Sequence, residues 1–144
     1  MSAGNGIVHS EFNASEKEPV HSIQIWIEPR AEDLAPSYQQ IAFPPAEKRG
    51  RFRLLAAPER SDGERATVIN QDARLYVAEL APGETVKQAL VPGRHAWVQV
   101  VRGKVSLHGQ LLNEGDGAAI SGETELSFVG DRREGGEILL FDLP

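Results

Sequence analysis

Two side chains near the amino terminus have the residue types and the spacing to bind a metal ion. His9 and Glu11 are two residues apart in the stretch 8–12, which alternates like a short strand. Alternate side chains of a strand project from one face, so the imidazole and the carboxylate are predicted to lie side by side. Such a pair suits a divalent first-row transition metal. The spacing alone leaves a second explanation open, because polar side chains on a strand are most often simply solvated.

These two donors are too few for a catalytic metal site. Iron sites of the common kind use two histidines and one carboxylate and keep coordination positions open. The chain has four histidines and no cysteine. His21 is predicted to face the surface or a partner, and His108 to be exposed at a hairpin tip. His95 is interpreted as a hydrogen-bonded turn residue in preference to a metal ligand.

The sequence also argues against several other classes of function. Without cysteine there is no thiolate nucleophile, disulfide or cysteine-based metal site. Ser10 lacks the G-x-S-x-G pattern of a nucleophile elbow, and the pair Gly4 and Gly6 leads into a predicted strand, not into the helix of a phosphate loop. A net charge of −6 opposes nucleic-acid binding. No apolar run could cross a membrane, and without a basic and apolar leader the chain is expected in the cytoplasm.

Short strands are the elements that must position these residues. Apolar and polar residues alternate in runs separated by glycine and proline, which is typical of an all-β sandwich or barrel. The run 96–102 is apolar on both faces, as in a central strand. One helical turn is predicted at 45–49, closed by Gly50. The predicted strands cover residues 8–12, 22–27, 51–56, 73–80, 86–90, 96–102, 104–108, 125–129 and 137–142.

The organisation of the chain changes near residue 45. Beyond this point the strands are dense enough to form a barrel, whereas residues 1–45 hold two predicted strands and a polar connecting stretch at 28–40. Two strands are not stable in water unless they find further partners. The apolar strand that carries Ile23, Ile25, Ile27 and Trp26 is therefore predicted to promote association into a dimer or a larger oligomer.

Several stretches resemble pirin-like proteins, which belong to the cupin superfamily. The run MSAGNGIVHSEFN at residues 1–13 is similar to their metal-site strand, and further similarities lie at 19–27, 34–38, 70–76, 92–98 and 115–116. Pirin-like proteins are bicupins with two β-barrels, and the first barrel binds a metal through three histidines and one glutamate. The resemblance implies that His9 and Glu11 are the last two of these ligands. It places the first two histidines in an H-x-H motif upstream of residue 1.

The resemblance also implies a fold and a division of the chain. The fold would be all-β, a cupin-type double-stranded β-helix (a jelly-roll-like barrel) with extra N-terminal strands. Residues 1–45 would be remnant strands of the first cupin plus a linker, and residues 46–144 the C-terminal cupin barrel. With the cupin ligand motif aligned at His95, its second histidine position is Trp97 and its glutamate position is Val101 or Arg102. Trp97 is expected to fill the cavity, so this barrel is predicted to be metal-free.

Two functions from different classes follow from the resemblance. The preferred one is a pirin-like cupin module with an incomplete metal site, which acts as a non-catalytic binding or oligomerisation module. The alternative is a metal-dependent dioxygenase that resembles quercetin 2,3-dioxygenase, with a divalent metal, iron first, and a flavonoid-like small molecule. Its site would be completed by a second copy of the chain or by a separate N-terminal cupin half. A homodimer could gather two imidazoles and two carboxylates around one ion.

Overall fold

The architecture is a strand-rich barrel preceded by an extended segment. A computed structural model of the chain describes residues 1–58 and 65–144. Its described part contains one 3₁₀ turn, Pro45–Glu47, and nine strands, namely β1 Arg53–Ala57, β2 Thr67–Val68, β3 Arg74–Leu80, β4 Thr85–Ala89, β5 His95–Leu107, β6 Gln110–Asn113, β7 Gly117–Ser121, β8 Glu125–Gly130 and β9 Gly136–Leu143.

The strands form two sheets that share β5. The first sheet has the order β2-β1-β3-β9-β5-β7, and the second has the order β6-β5-β8-β4. Every pairing is antiparallel apart from β1 with β2. Residues 95–103 of β5 pair with β9, and residues 105–107 pair with β8. One long strand therefore joins both sheets into a curled double-sheet structure.

A bulge bends β5 at the point where it passes from one sheet to the other. The register against β9 shifts between Val100 and Arg102. Gly103 follows with a φ of 67°, and a Cβ there would lie 2.5 Å from the carbonyl oxygen of Gly135. Bulges and glycines are the usual means of turning a strand sharply within a barrel. The separate strands predicted at 96–102 and 104–108 are consequently one strand of 13 residues.

The core lies between the two sheets. Its largest fully buried side chains are Phe128, Leu126, Ile138 and Leu140, and they come from β8 and β9. The period of two that predicted these strands also means that alternate side chains of each strand share one face. The strands predicted at 51–56, 73–80, 86–90, 125–129 and 137–142 are confirmed, as is the helical turn, which ends at Glu47.

A second apolar layer covers the outside of the first sheet. Ala56, Leu75, Val77 and Leu139 are buried there, on the face opposite the core. Leu55, Ile69, Val101 and Phe141 pack against them. We call these eight residues the outer apolar face. Strands with two buried faces are expected only where something else covers the sheet.

The extended segment, residues 1–44, contains no strand. The strands predicted at 8–12 and 22–27 are therefore wrong for the single chain, as are the extra N-terminal strands of the expected fold. A strand needs a hydrogen-bonded neighbour, and here the segment makes one isolated bridge, Ser2 with Ser37. Trp26, which lies in the segment predicted to promote association, is 88% exposed in the single chain.

Candidate metal centre

The predicted metal-binding pair is brought together in the extended segment. The Nε2 atom of His9 lies 3.4 Å from the Oε1 atom of Glu11. The two side chains are 41% and 69% exposed. A turn at the start of the chain precedes the pair, with the amide of Asn5 donating to the carbonyl of Leu34 and the amide of Gly6 donating to the carbonyl of Ala3. The donors therefore lie side by side and open to solvent.

The pair fits one edge of a divalent metal site. Metal–nitrogen and metal–oxygen bonds of about 2.1 Å at a tetrahedral angle place two donor atoms roughly 3.4 Å apart. That separation matches the observed distance, so the spacing of the two donor atoms is compatible with a shared ion. Among the residues described, no group of three or more His, Cys, Asp or Glu side chains could hold an ion. The remaining ligands would have to come from outside the part of the chain that the structure describes.

A mainly apolar groove adjoins the pair. It has a volume of about 350 Å³, and His9 forms part of its wall together with Ile7, Val8, Pro36 and Tyr38. The Tyr38 hydroxyl donates to the side-chain oxygen of Gln40 at 2.6 Å. A small apolar molecule in this groove would therefore lie directly beside the imidazole of His9.

The other histidines lie outside this site. His21 is exposed, as predicted, and borders a cleft with Lys48 and Glu79. His108 is exposed in the turn between β5 and β6, which confirms the predicted hairpin tip. His95 is the first residue of β5, and its Nδ1 atom lies 2.8 Å from the hydroxyl of Ser121. It is hydrogen-bonded as predicted, although it belongs to the strand and not to the turn.

The expected role of Trp97 is wrong. Along β5 the buried positions are Ala96, Val98 and Val100, whereas Trp97 is 42% exposed on the other face. Its ring lies over Gly117, where a Cβ would be 2.3 Å from the indole. A shift of one residue moves every side chain of a strand to the opposite face, so the motif aligned at His95 was placed on the outside. The inward positions hold one methyl and two isopropyl groups.

A buried ion pair closes one end of the barrel, and the sequence analysis missed it. Arg94 donates from Nε to the Asp142 carboxylate, and from Nη1 to both oxygens of Asp72 at 3.1 Å. Burial opposes the charge of the guanidinium, but hydrogen bonds to these two carboxylates outweigh it and raise the pKa of Arg94. The sequence does contain an indication of this pair. Asp142 is a charged residue at an alternate position of the same strand as the inward-facing Ile138 and Leu140, where a buried carboxylate needs a partner.

The loop beside this ion pair holds the extended segment against the barrel. The amide of Arg30 donates to the carbonyl of Asn70 at 2.8 Å. The side chain of Gln71 donates to the carbonyl of Glu28 at 2.9 Å. Asp72, the next residue, is bound by Arg94. One short loop thus connects the barrel end to the segment that carries His9 and Glu11.

Comparison with known proteins places these features in a family. A profile described as pirin matches residues 1–27, and one described as the quercetinase C-terminal cupin domain matches residues 54–143. The second match covers most of the chain. The chain belongs to the pirin family. The prediction made from residues 1–13 and the later motifs is confirmed.

Relatives of this pirin-family chain share sequence along its whole length. Quercetin 2,3-dioxygenase of Escherichia coli K12 is 38% identical over 144 residues, which are 100% of the chain and 59% of the relative. A pirin-like protein of Caulobacter vibrioides is 38% identical over 142 residues, which are 99% of the chain and 60% of the relative. The chain therefore spans about three fifths of the length of the curated relatives it matches.

Solved structures confirm the cupin fold. YhhW from Escherichia coli superposes with a TM-score of 0.73 at 33% identity, over 83% of this chain and 48% of that one. The structure titled as bacterial pirin YhhW in complex with nickel(II) gives a TM-score of 0.68 at 32% identity, over 81% of this chain and 47% of that one. A divalent metal therefore occurs in the family. Among the residues described here, no helix is long and apolar enough to span a membrane.

Proposed function

We propose that this chain is a pirin-like cupin module that binds a partner chain and is non-catalytic as a single copy. The observation that carries the proposal is the His9–Glu11 pair, which offers two donors 3.4 Å apart and open to solvent. Two donors hold a divalent ion weakly, because the affinity of such sites grows with the number and arrangement of ligands. The pair therefore suits a site that is shared between chains.

The extended segment supports association. Val8 is fully exposed, and Phe12 and Trp26 are each 88% exposed. Farther along, Ile23 and Ile25 border a groove of about 350 Å³ above the outer apolar face. Large apolar side chains exposed in such number on one segment favour a protein interface. The partner is a second copy of the chain or a separately supplied N-terminal cupin half.

The oligomeric state tests this proposal. Light scattering coupled to size-exclusion chromatography at micromolar concentration should give a dimer or a larger species. Trp26→Ser should shift the population toward monomer, because it removes a large apolar side chain from the segment. Val91→Ser is the control, since Val91 is a 63% exposed apolar side chain that does not belong to the segment. A monomer at every concentration would contradict the proposal, as would an equal effect of the two substitutions.

A metal-dependent dioxygenase that acts on flavonoid-like molecules is the second candidate function. It is favoured by relatives named quercetin 2,3-dioxygenase and by the fit of His9 and Glu11 to one edge of a metal site. A bound divalent ion, iron first among the candidates, would supply a centre that binds and orients the flavonol and O₂. His9 through Nε2 and Glu11 through its carboxylate would hold the ion, and the adjoining apolar groove would hold a ring of the flavonol beside it.

Metal titration separates the two candidates. Equilibrium dialysis with Ni(II) and Fe(II) should give one ion for two chains if a homodimer completes the site. His9→Ala and Glu11→Gln should abolish this binding, whereas His95→Ala should not, because its ring is hydrogen-bonded to Ser121 on the barrel. Absence of stoichiometric metal in the supplemented protein would exclude a dioxygenase site formed by two copies of this chain. Turnover of quercetin by monomeric protein would overturn the non-catalytic proposal.

A further inference from the structure

We propose that the gap between β6 and β7 is a metal-independent binding site for a small neutral phenol or alcohol. This site lies in the barrel, and it is independent of the function proposed for His9 and Glu11. We call it the β6–β7 pocket. Its floor is formed by Leu107, Leu112, Ala118 and Ile120, and its rim includes His108 and Glu123.

The pocket exists because two strands share one neighbour but belong to different sheets. β6 pairs with residues 104–107 of β5, and β7 pairs with residues 95–99. Neither strand has another partner among those that the structure describes. The sheets therefore separate on this side, and the core is reached through the gap. Leu107 and Leu112 belong to the core, and Ala118 and Ile120 pack against it.

The volume of the pocket suits a single ring. It measures about 300 Å³, and the side chains of Ala118 and Ala119 are too short to fill it. For comparison, an apolar cavity of about 150 Å³ accommodates benzene. The β6–β7 pocket therefore has room for one substituted ring, at the lower end of the size range of small-molecule sites.

The rim selects against anions. The residues that line the pocket include the carboxylate of Glu123 and the hydroxyl of Ser121, but no lysine or arginine. A bound carboxylate or phosphate would lie near a like charge without a compensating cation. The lining also includes the amide of Gln110, which like the Ser121 hydroxyl both donates and accepts hydrogen bonds, so the rim suits a neutral polar group. A hydroxyl group on an apolar ring meets both requirements.

His108 places an imidazole on the rim of the pocket. His108 and Gly109 form the two-residue turn between β5 and β6, and their φ angles are 49° and 86°. Two positive φ values are the pattern of a type I′ turn, and histidine is among the non-glycine residues that adopt such values most often. The turn therefore holds the imidazole at the pocket rim, where its ring nitrogens can hydrogen-bond a ligand.

Binding of simple probes tests the site. Two-dimensional ¹⁵N–¹H spectra of the full chain, titrated with phenol and then catechol, should show shifts confined to residues 107–123. Benzoate, of the same size but anionic, should bind at least about tenfold more weakly. His108→Asn keeps a residue suited to the turn but removes the imidazole. It should weaken catechol binding about fivefold, the effect of losing one hydrogen bond.

A variant whose side chain fills the β6–β7 pocket tests whether the probes bind there. Ala118→Leu should abolish the shifts while the spectrum stays dispersed, because the added side chain occupies the space of the ring. If that variant does not fold, Ala118→Val, which adds a smaller side chain at the same partly buried position, should weaken binding in proportion. The proposal is overturned if phenol shifts no residue of 107–123, if a folded filled variant still binds it, or if benzoate binds equally well.

Discussion

The ion pair at the end of the barrel allows a quantitative prediction. Arg94→Met keeps most of the side-chain volume but removes the guanidinium that binds Asp142 and Asp72. Asp142 is only 6% exposed, so its carboxylate would remain buried without a cation. Removing one partner of a buried pair costs about 3–5 kcal/mol. The contact with Asp72 adds little, since the side chain of Asp72 is 52% exposed and its pairing is worth about 1 kcal/mol or less.

Chemical denaturation followed by circular dichroism measures this loss. Thermal unfolding followed by the same signal should show this loss as a fall in melting temperature of roughly 6–20 °C for a domain of this length. Arg132→Met is the control, because Arg132 is exposed in the β8–β9 turn and its loss should change stability by less than about 0.5 kcal/mol.

A double-mutant cycle decides whether the buried charge is the cause. Arg94→Met combined with Asp142→Leu removes both charges and should recover most of the stability lost by Arg94→Met, because apolar pairs often replace buried ion pairs without loss. The reasoning is refuted if Arg94→Met stays within about 1 kcal/mol of the parent chain. It is also refuted if the double variant is less stable than Arg94→Met alone.

Three further predictions concern stability. The backbone N–H of Arg133 donates to the Asp131 carboxylate and holds the pKa of Asp131 below its ordinary value. The contribution of this carboxylate to folding stability is therefore present above about pH 4 and is lost as pH falls through the lowered pKa. Asp131→Asn should therefore weaken the pH dependence of the melting temperature in acid, and an unchanged acid limb would contradict this. Gly103→Ala should lower the free energy of unfolding in urea by more than about 1 kcal/mol, because the φ of Gly103 is 67° and the new Cβ would lie 2.5 Å from the carbonyl oxygen of Gly135. An unchanged urea midpoint would show that alanine is not strained at this position. Phe128→Ala should cost about 3–5 kcal/mol in the same assay, since its ring is fully buried, and a loss below 1 kcal/mol would contradict its place in the core.

The fold was accessible from the sequence where local patterns are strong. Alternation with a period of two located most of the long strands, and glycine and proline marked the turns between them. β6 and β7 escaped notice because the first has only four residues and the second is built mainly from glycine and alanine, which are poor strand formers. They are strands because β5 provides a hydrogen-bonding edge for each.

The candidate site divides in the same way. The types and spacing of His9 and Glu11 were sufficient to predict a donor pair, since neighbours in sequence need no tertiary structure to meet. The sequence also identified the pirin family from its motifs. It did not reveal the pairing of Arg94 with Asp142, because 48 residues separate them and only strand pairing brings them together.

Local chemistry therefore indicated most of this protein's strands, its family and its candidate donor pair. Tertiary structure decided which face of each strand points inward, and so placed Trp97 outside the barrel and left a pocket between β6 and β7. It also decided that residues 22–27, strand-like in sequence, form no strand in the single chain. The physical reason is that a strand is stable only when another strand satisfies its backbone hydrogen bonds, and that partner is not a property of the local sequence.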